Sequence, residues 1–265
     1  MELKLQTLLK TFSLCALCLT CVSCSNAYFS ATKPETGPVV TKSFNLEPFT
    51  ALVADGYANI ELTNGPGKIT ATGTRKDLKQ YFVSISKKVL YVQIPQLAAE
   101  NTTIKISVPK LNTISVQNYA KVNLENFKTP NLQILAKAQG EFTAHNCQLG
   151  VSKIVQNSAG KIDINWIKGD TLVINSNSVG PIYLAGTTKQ LVIKLTGQAM
   201  LDARYLRAEK AGVFVIDRAT AHVLVTKSLG GFAADHSNIY YYKRPLKLTV
   251  ATRGSGNVLH PAWIH

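Results

Sequence analysis

Apolar residues return along this chain at two nested intervals. The shorter is two: Val122-x-Leu124, Ile162-x-Ile164 and Ile182-x-Leu184 alternate with less apolar neighbours, the mark of a strand with one buried face. The longer is twenty. Ile114, Ile134, Ile154 and Ile174 form one column at that interval; Val122, Phe142, Ile162 and Ile182 form a second; Leu124, Ala144, Ile164 and Leu184 form a third. Phe127, Cys147, Ile167 and Thr187 make a fourth, mostly apolar column. Ala120, Gly140, Gly160 and Gly180 stand two residues before the second column, where a small residue would permit a tight, left-handed bend.

A unit holding two short strands cannot bury its apolar edge alone, whereas a stack of such units shares one continuous core. The pattern therefore predicts an all-β chain wound as a β-solenoid with rungs of about 20 residues. The consensus of a leucine-rich repeat is absent. A propeller blade of about 40 residues would hold two units and stays open, although the identity of single units speaks against it. Beyond Leu184 the pattern continues with slippage through Leu201, Val223, Ile239 and Val258. Upstream, "GYANIEL" (56–62) repeats the formula of "NYAKVNL" (118–124) across 62 residues. That interval suits about three turns, interrupted at 76–94 by a hairpin or a broader rung.

The first residues follow another rule. Lys4 and Lys10 precede an uncharged, mainly apolar run, "TFSLCALCLTCV" (11–22), which predicts a signal peptide over residues 1–23 and not a stop-transfer helix. "CVSC" (21–24) resembles a lipobox, making Cys24 the expected lipidation site, with Ser25 favouring transfer to an outer membrane. "SNA" (25–27) offers ordinary cleavage after Ala27 and a secreted or periplasmic product instead. Cys15, Cys18, Cys21 and Cys24 have metal-ligand spacing but lie inside the export sequence, so no metal or cofactor site is expected there. Residues 24–43, rich in Pro, Gly, Ser and Thr, read as a flexible tether to a β-helical domain over 44–265. Of the remaining cysteines only Cys147 is left, as a small buried hydrophobe.

Charge narrows the partners. The chain carries 29 Lys and Arg against 15 Asp and Glu, a net charge of +14; removing residues 1–23 takes away Lys4, Lys10 and Glu2 and leaves +13. A basic exported protein meets anionic partners: acidic polysaccharide, lipopolysaccharide or phospholipid headgroups. No motif for specific nucleic-acid recognition is present.

The stretch from Phe44 to Leu259 resembles the GIN domain, the head domain assigned to autotransporter adhesins of bacterial envelopes. The resemblance rests on Phe49, Gly56 and Ile60, then Leu90-x-Val92-x-Ile94, then Ile106-x-Val108-Pro109-x-Leu111, and on the repeated Gly-x-Ile rungs. It implies a right-handed parallel β-helix, often with a lipoprotein signal, and an adhesin-like role.

Candidate chemistry is sparse. Asp163, Asp202, Asp217 and Asp235 lie on rungs, but slippage prevents placing any two side by side. The five histidines lack zinc spacing, and adjacent Asp235 and His236 would point to opposite faces. No catalytic residue is assigned. Lys121, Glu141 and Lys161 would stack as an alternating charge ladder. In "NIYYYKRP" (238–245), Tyr240 and Tyr242 face opposite to Tyr241, beside Lys243 and Arg244. These four, Tyr240, Tyr242, Lys243 and Arg244, are the candidate ligand-binding residues, although aromatics there would also serve to cover an end rung. Three functions remain: a non-enzymatic envelope lipoprotein binding anionic glycan or another envelope component, a β-helix lyase or hydrolase, and a self-associating structural module.

Overall fold

Strands account for nearly all the regular structure of the computed structural model, which describes residues 37–44, 47–96 and 102–261 within the compact unit Thr36–His265. The expected signal peptide, Cys24 and Ala27 lie outside the described residues. In chain order come β1 (Val39–Phe44), β2 (Ala51–Gly56), β3 (Asn59–Asn64), β4 (Lys68–Thr74), the four-residue helix α1 (Arg75–Leu78), β5 (Phe82–Ser86), β6 (Val89–Ile94) and β7 (Thr103–Val108). The coils then follow as β8 (Thr113–Val116), β9 (Lys121–Glu125), β10 (Lys128–Ala138), β11 (Glu141–His145) and β12 (Gln148–Ser158). Four long bent strands come next: β13 (Ile162–Ser176), β14 (Pro181–Leu195), β15 (Met200–Val215) and β16 (Thr220–Asp235). Then β17 (Asn238–Tyr241), β18 (Lys247–Gly254) and β19 (Asn257–Leu259) complete the order.

From β8 onward every pairing is parallel, each coil lying on the one before, so the domain is a β-solenoid. The three leading apolar columns are real stacks. Ile114, Ile134, Ile154 and Ile174 pair in succession and continue to Ile193 and Val213. Val122, Phe142, Ile162 and Ile182 do the same and run on to Leu201. Nearly all are fully buried. At about 25 cal/mol per Å² of apolar surface, each such Ile or Leu stabilises the fold by about 2 kcal/mol.

Several expectations are corrected. The column of Leu201 continues to Ala221, Ile239 and Val258, and Val223 pairs with Ala203 instead. The slippage was mostly an alanine hiding an apolar position. The fourth column breaks: Ile167 pairs with Leu149 and Gly186, and Thr187 is exposed beside Lys168. A bulge at each corner shifts the register there. The glycine column is not left-handed. Positive φ falls two residues earlier at Asn118 and Ala138, while a Cβ on Gly140, Gly160 or Gly180 would run into a carbonyl of the coil below. The small residue is required by close stacking, not by the bend.

The N-terminal arrangement departs most. β2 and β3 stack directly on β8 and β9, with Leu52 opposite Ile114 and Ile60 opposite Val122. The intervening residues do not form three turns between them. β6 and β7 instead make one coil on the far side of β2 and β3. β5 and β4 then pair antiparallel with that coil. The hairpin expected at 76–94 is β5–β6, turning at Lys87 and Lys88, both with positive φ. β1 pairs antiparallel with β4 over Val39–Phe44, so the tether assigned to 24–43 cannot reach beyond residue 38. Val40 and Phe44 pack on the core, and the exposed Lys42 between them on the same face hides that pattern in the sequence.

Candidate functional site

The lateral surface acquires its chemistry at the corner that β13, β14 and β15 each turn. Asn126 and Asn146 hold this corner in earlier coils with φ of 52°, a conformation asparagine tolerates. Trp166 holds it next with φ of 65° and is 68% exposed; Gly186 follows with φ of 129°. Trp166 lies in the bulge facing Ala185, and Ala185 pairs with Tyr205, which is 74% exposed. Two coils separate the two rings, about 10 Å at the usual strand spacing.

Each ring is followed by a buried residue and then a cation: Trp166-Ile167-Lys168 and Tyr205-Leu206-Arg207. Lys168 and Arg207 line a groove of about 660 Å³ with Asp170, Lys189, Glu209 and Lys227. Within it Lys189 reaches Asp170 at 2.8 Å and Lys227 reaches Glu209 at 2.7 Å. The hydrogen bond from Lys227 holds the Glu209 carboxyl below its usual range. Lys168 and Arg207 join no ion pair among the described residues, so the groove keeps two uncompensated positive charges.

Beside Tyr205 a second cluster spans three coils. Asp202, His222 and Tyr240 occupy one outward column. Arg204 grips Asp202 with Nε donating at 2.9 Å and Nη2 at 2.6 Å. Burial pushes the Asp202 carboxyl up, but the hydrogen bonds from Arg204 outweigh it and hold the group below its ordinary range. The Arg204 guanidinium lies 6.0 Å from the Tyr205 ring centre and 5.5 Å from that of Tyr242. His222 stacks on Tyr240 with centres 4.9 Å apart, and its Nδ1 shares a hydrogen bond of 2.8 Å with the Tyr242 hydroxyl. Burial lowers the His222 pKa; Asp202 opposes that and Arg204 reinforces it.

The structure therefore brings Tyr240 and Tyr242 together around His222, with Tyr241 turned to the core and to His260. Lys243 and Arg244 are exposed past the end of β17 and make no ion pair among the described residues. Asp163 and Asp202 share the outward column with Tyr183 between them. Asp217 sits in a left-handed turn rather than on a rung, whereas Asp235 ends β16 opposite Gly254 with a left-handed backbone. The charge ladder is half formed: Lys121 meets Glu141 at 3.6 Å, but Lys161 turns to Asp163 at 3.3 Å, the acid nearer its own strand. Trp166, Tyr205, Arg204 and His222 were missed as site residues. The repeated aromatic-x-cation triplet was the available signal, and the broken fourth column hid its register.

Fold and surface together define a parallel β-solenoid domain with a decorated lateral face. The chain matches the family model described as "Putative auto-transporter adhesin, head GIN domain" over residues 48–245 and belongs to that family. Among solved structures it is similar to a "putative lipid binding protein" from Parabacteroides distasonis, with a TM-score of 0.74 and 16% identity, covering 84% of this chain and 98% of that one. It is also similar to a "putative adhesin" from Parabacteroides merdae, with a TM-score of 0.71 and 19% identity over 85% of this chain and 97% of that one. A "putative adhesin" from Bacteroides fragilis gives 0.63 and 20% over 86% and 99%. Among curated proteins none matches.

Proposed function

We propose that this chain is a non-enzymatic binding module of the bacterial cell envelope. It is exported, held at the outer membrane through lipid on Cys24, and lays an extended anionic glycan across its lateral face. The observation that carries this reading is the duplicated pairing of an exposed ring with an unpaired groove cation, Trp166 with Lys168 and Tyr205 with Arg207, about 10 Å apart. Flat rings stack on the apolar face of a pyranose while a neighbouring cation meets its carboxylate or phosphate. Strand ladders on both sides fix the backbone that carries these groups, so binding has to order only the side chains. The adhesin description of the family agrees with such a surface.

A β-helix hydrolase or lyase draws less support from the groove, whose two carboxylates, Asp170 and Glu209, are each held by a lysine, at 2.8 and 2.7 Å.

Affinity electrophoresis of the purified chain in polygalacturonate, with neutral dextran and anionic phospholipid vesicles alongside, tests the proposal. Retention by polygalacturonate is expected at low salt and should fall steeply as ionic strength shortens the screening length to about 10 Å. Tyr205→Ala or Arg207→Gln should weaken retention about tenfold. Trp166→Asn should weaken it equally while making the fold more stable, separating lost binding from lost folding. Retention of all three variants as strong as that of the natural protein, or preference for vesicles over polygalacturonate, would reject the glycan reading.

A further inference from the structure

The two ends of the solenoid are finished differently. At the N-terminal end the outermost coil, β6 with β7, has its inward residues Leu90, Val92, Ile104 and Ile106 fully buried, because β4, β5 and α1 close over them. At the C-terminal end the last coil is β18 with β19. Leu248 and Val250 occupy inward columns there, Leu248 above Leu229 and Val250 above Gly231 and Val213. They are 42% and 43% exposed, where Leu229 and Val213 one and two coils earlier are buried. All eight residues of β18 are exposed, and its outer edge pairs with no strand among the described residues.

A terminal repeat ordinarily turns a polar face outward; this one leaves the core columns and a row of backbone donors and acceptors open. The charge around the edge is one-sided. From His236 to the end of the sequence there is no Asp or Glu, while Lys243, Arg244, Lys247 and Arg253 are present. Lys247 and Arg253 stand on the outward side at opposite ends of β18, about 20 Å apart at the rise of a strand. A second copy approaching with two-fold symmetry about Val250 would set Lys247 directly against Arg253, a repulsive pairing.

We propose that the β18 edge is a docking site for an acidic polypeptide strand. The strand continues the solenoid by β-augmentation, with apolar residues over Leu248 and Val250 and carboxylates opposite Lys247 and Arg253. Backbone ladder bonds supply affinity, the open columns select alternating apolar residues, and the two cations select the charge. This surface is at the end of the stack and is separate from the lateral glycan face.

The probe is a fluorescein-labelled peptide, Glu-Val-Thr-Val-Thr-Val-Glu, which places its acids six residues apart, with a control bearing Lys at both ends. Fluorescence anisotropy with the full chain is expected to show saturable binding of the Glu peptide and none of the Lys peptide. The double variant Lys247→Glu/Arg253→Glu should invert that preference, an outcome that misfolding cannot imitate. Val250→Lys, which buries a charge against any added strand, should weaken binding about tenfold with the far-UV circular dichroism unchanged. The proposal is overturned if the double variant binds the Glu peptide as before. It is equally overturned if sedimentation shows a dimer that Val250→Lys dissociates, or if binding appears only after residues 262–265 are removed.

Discussion

Trp166 occupies a backbone region that costs a bulky L-residue about 1–2 kcal/mol. The same corner is held in earlier coils by Asn126 and Asn146, residues that tolerate positive φ. An exposed ring kept at a strained corner contributes little to folding, and strain of this kind is retained where the side chain has work to do. Trp166→Asn should accordingly raise stability by about 1 kcal/mol. His222 gives the second residue-scale expectation. Its folded pKa lies below the ordinary value of 6.5 because burial disfavours the charged ring. The folded state then binds that proton less tightly than the unfolded chain. The stability it contributes is complete above pH 6.5 and is lost as pH falls from there through the lowered folded value. Thermal midpoints measured from pH 8 to 5 should decline for the natural protein, and His222→Gln should flatten that decline. An unchanged slope would mean that His222 is solvated as in the unfolded chain.

Coils approach one another closely enough that one position in each must lack a side chain or carry a very small one. That row is Ala58, Ala120, Gly140, Gly160, Gly180, Ala199, Ala219, Ser237 and Gly256, most of it buried. Gly160→Val should be among the most damaging single changes, since its Cβ would meet the Gly140 carbonyl oxygen and neither backbone can yield without breaking a ladder. A loss of about 3 kcal/mol or more in denaturant unfolding is expected, against little effect from the same change at Gly67, where a Cβ meets open space. The neighbouring turns carry a polar network the apolar pattern does not show. Ser176 Oγ donates to Gln156 Oε1 at 3.0 Å, and Gln156 Nε2 donates to the Gly160 carbonyl at 2.9 Å. Gln156 is fully buried in what would otherwise be an apolar column. It is tolerated because both ends of its amide are satisfied.

For the whole molecule, among the described residues no helix is long and apolar enough to cross a membrane, and the lipid proposed on Cys24 is open to direct test. Cys24→Ser should abolish acyl labelling and move the protein from the membrane to the soluble fraction; unchanged labelling would place processing elsewhere. The solenoid itself was determined by the sequence alone. Wherever a coil keeps its length, like residues at twenty-residue intervals must stack, because only stacking buries their apolar edges; the isoleucine column beginning at Ile114 is the clear case. The tertiary structure decided what the interval could not carry. An alanine such as Ala221 fills a core position without announcing it, and a bulge at each corner shifts the phase that would have aligned Trp166 with Tyr205. The order of the first coils was likewise undecidable from periodicity, since β6 and β7 repeat the same apolar pattern on either side of β2 and β3. Which side they take is set by the antiparallel strands that must close the core at that end, a contact between residues far apart in the chain.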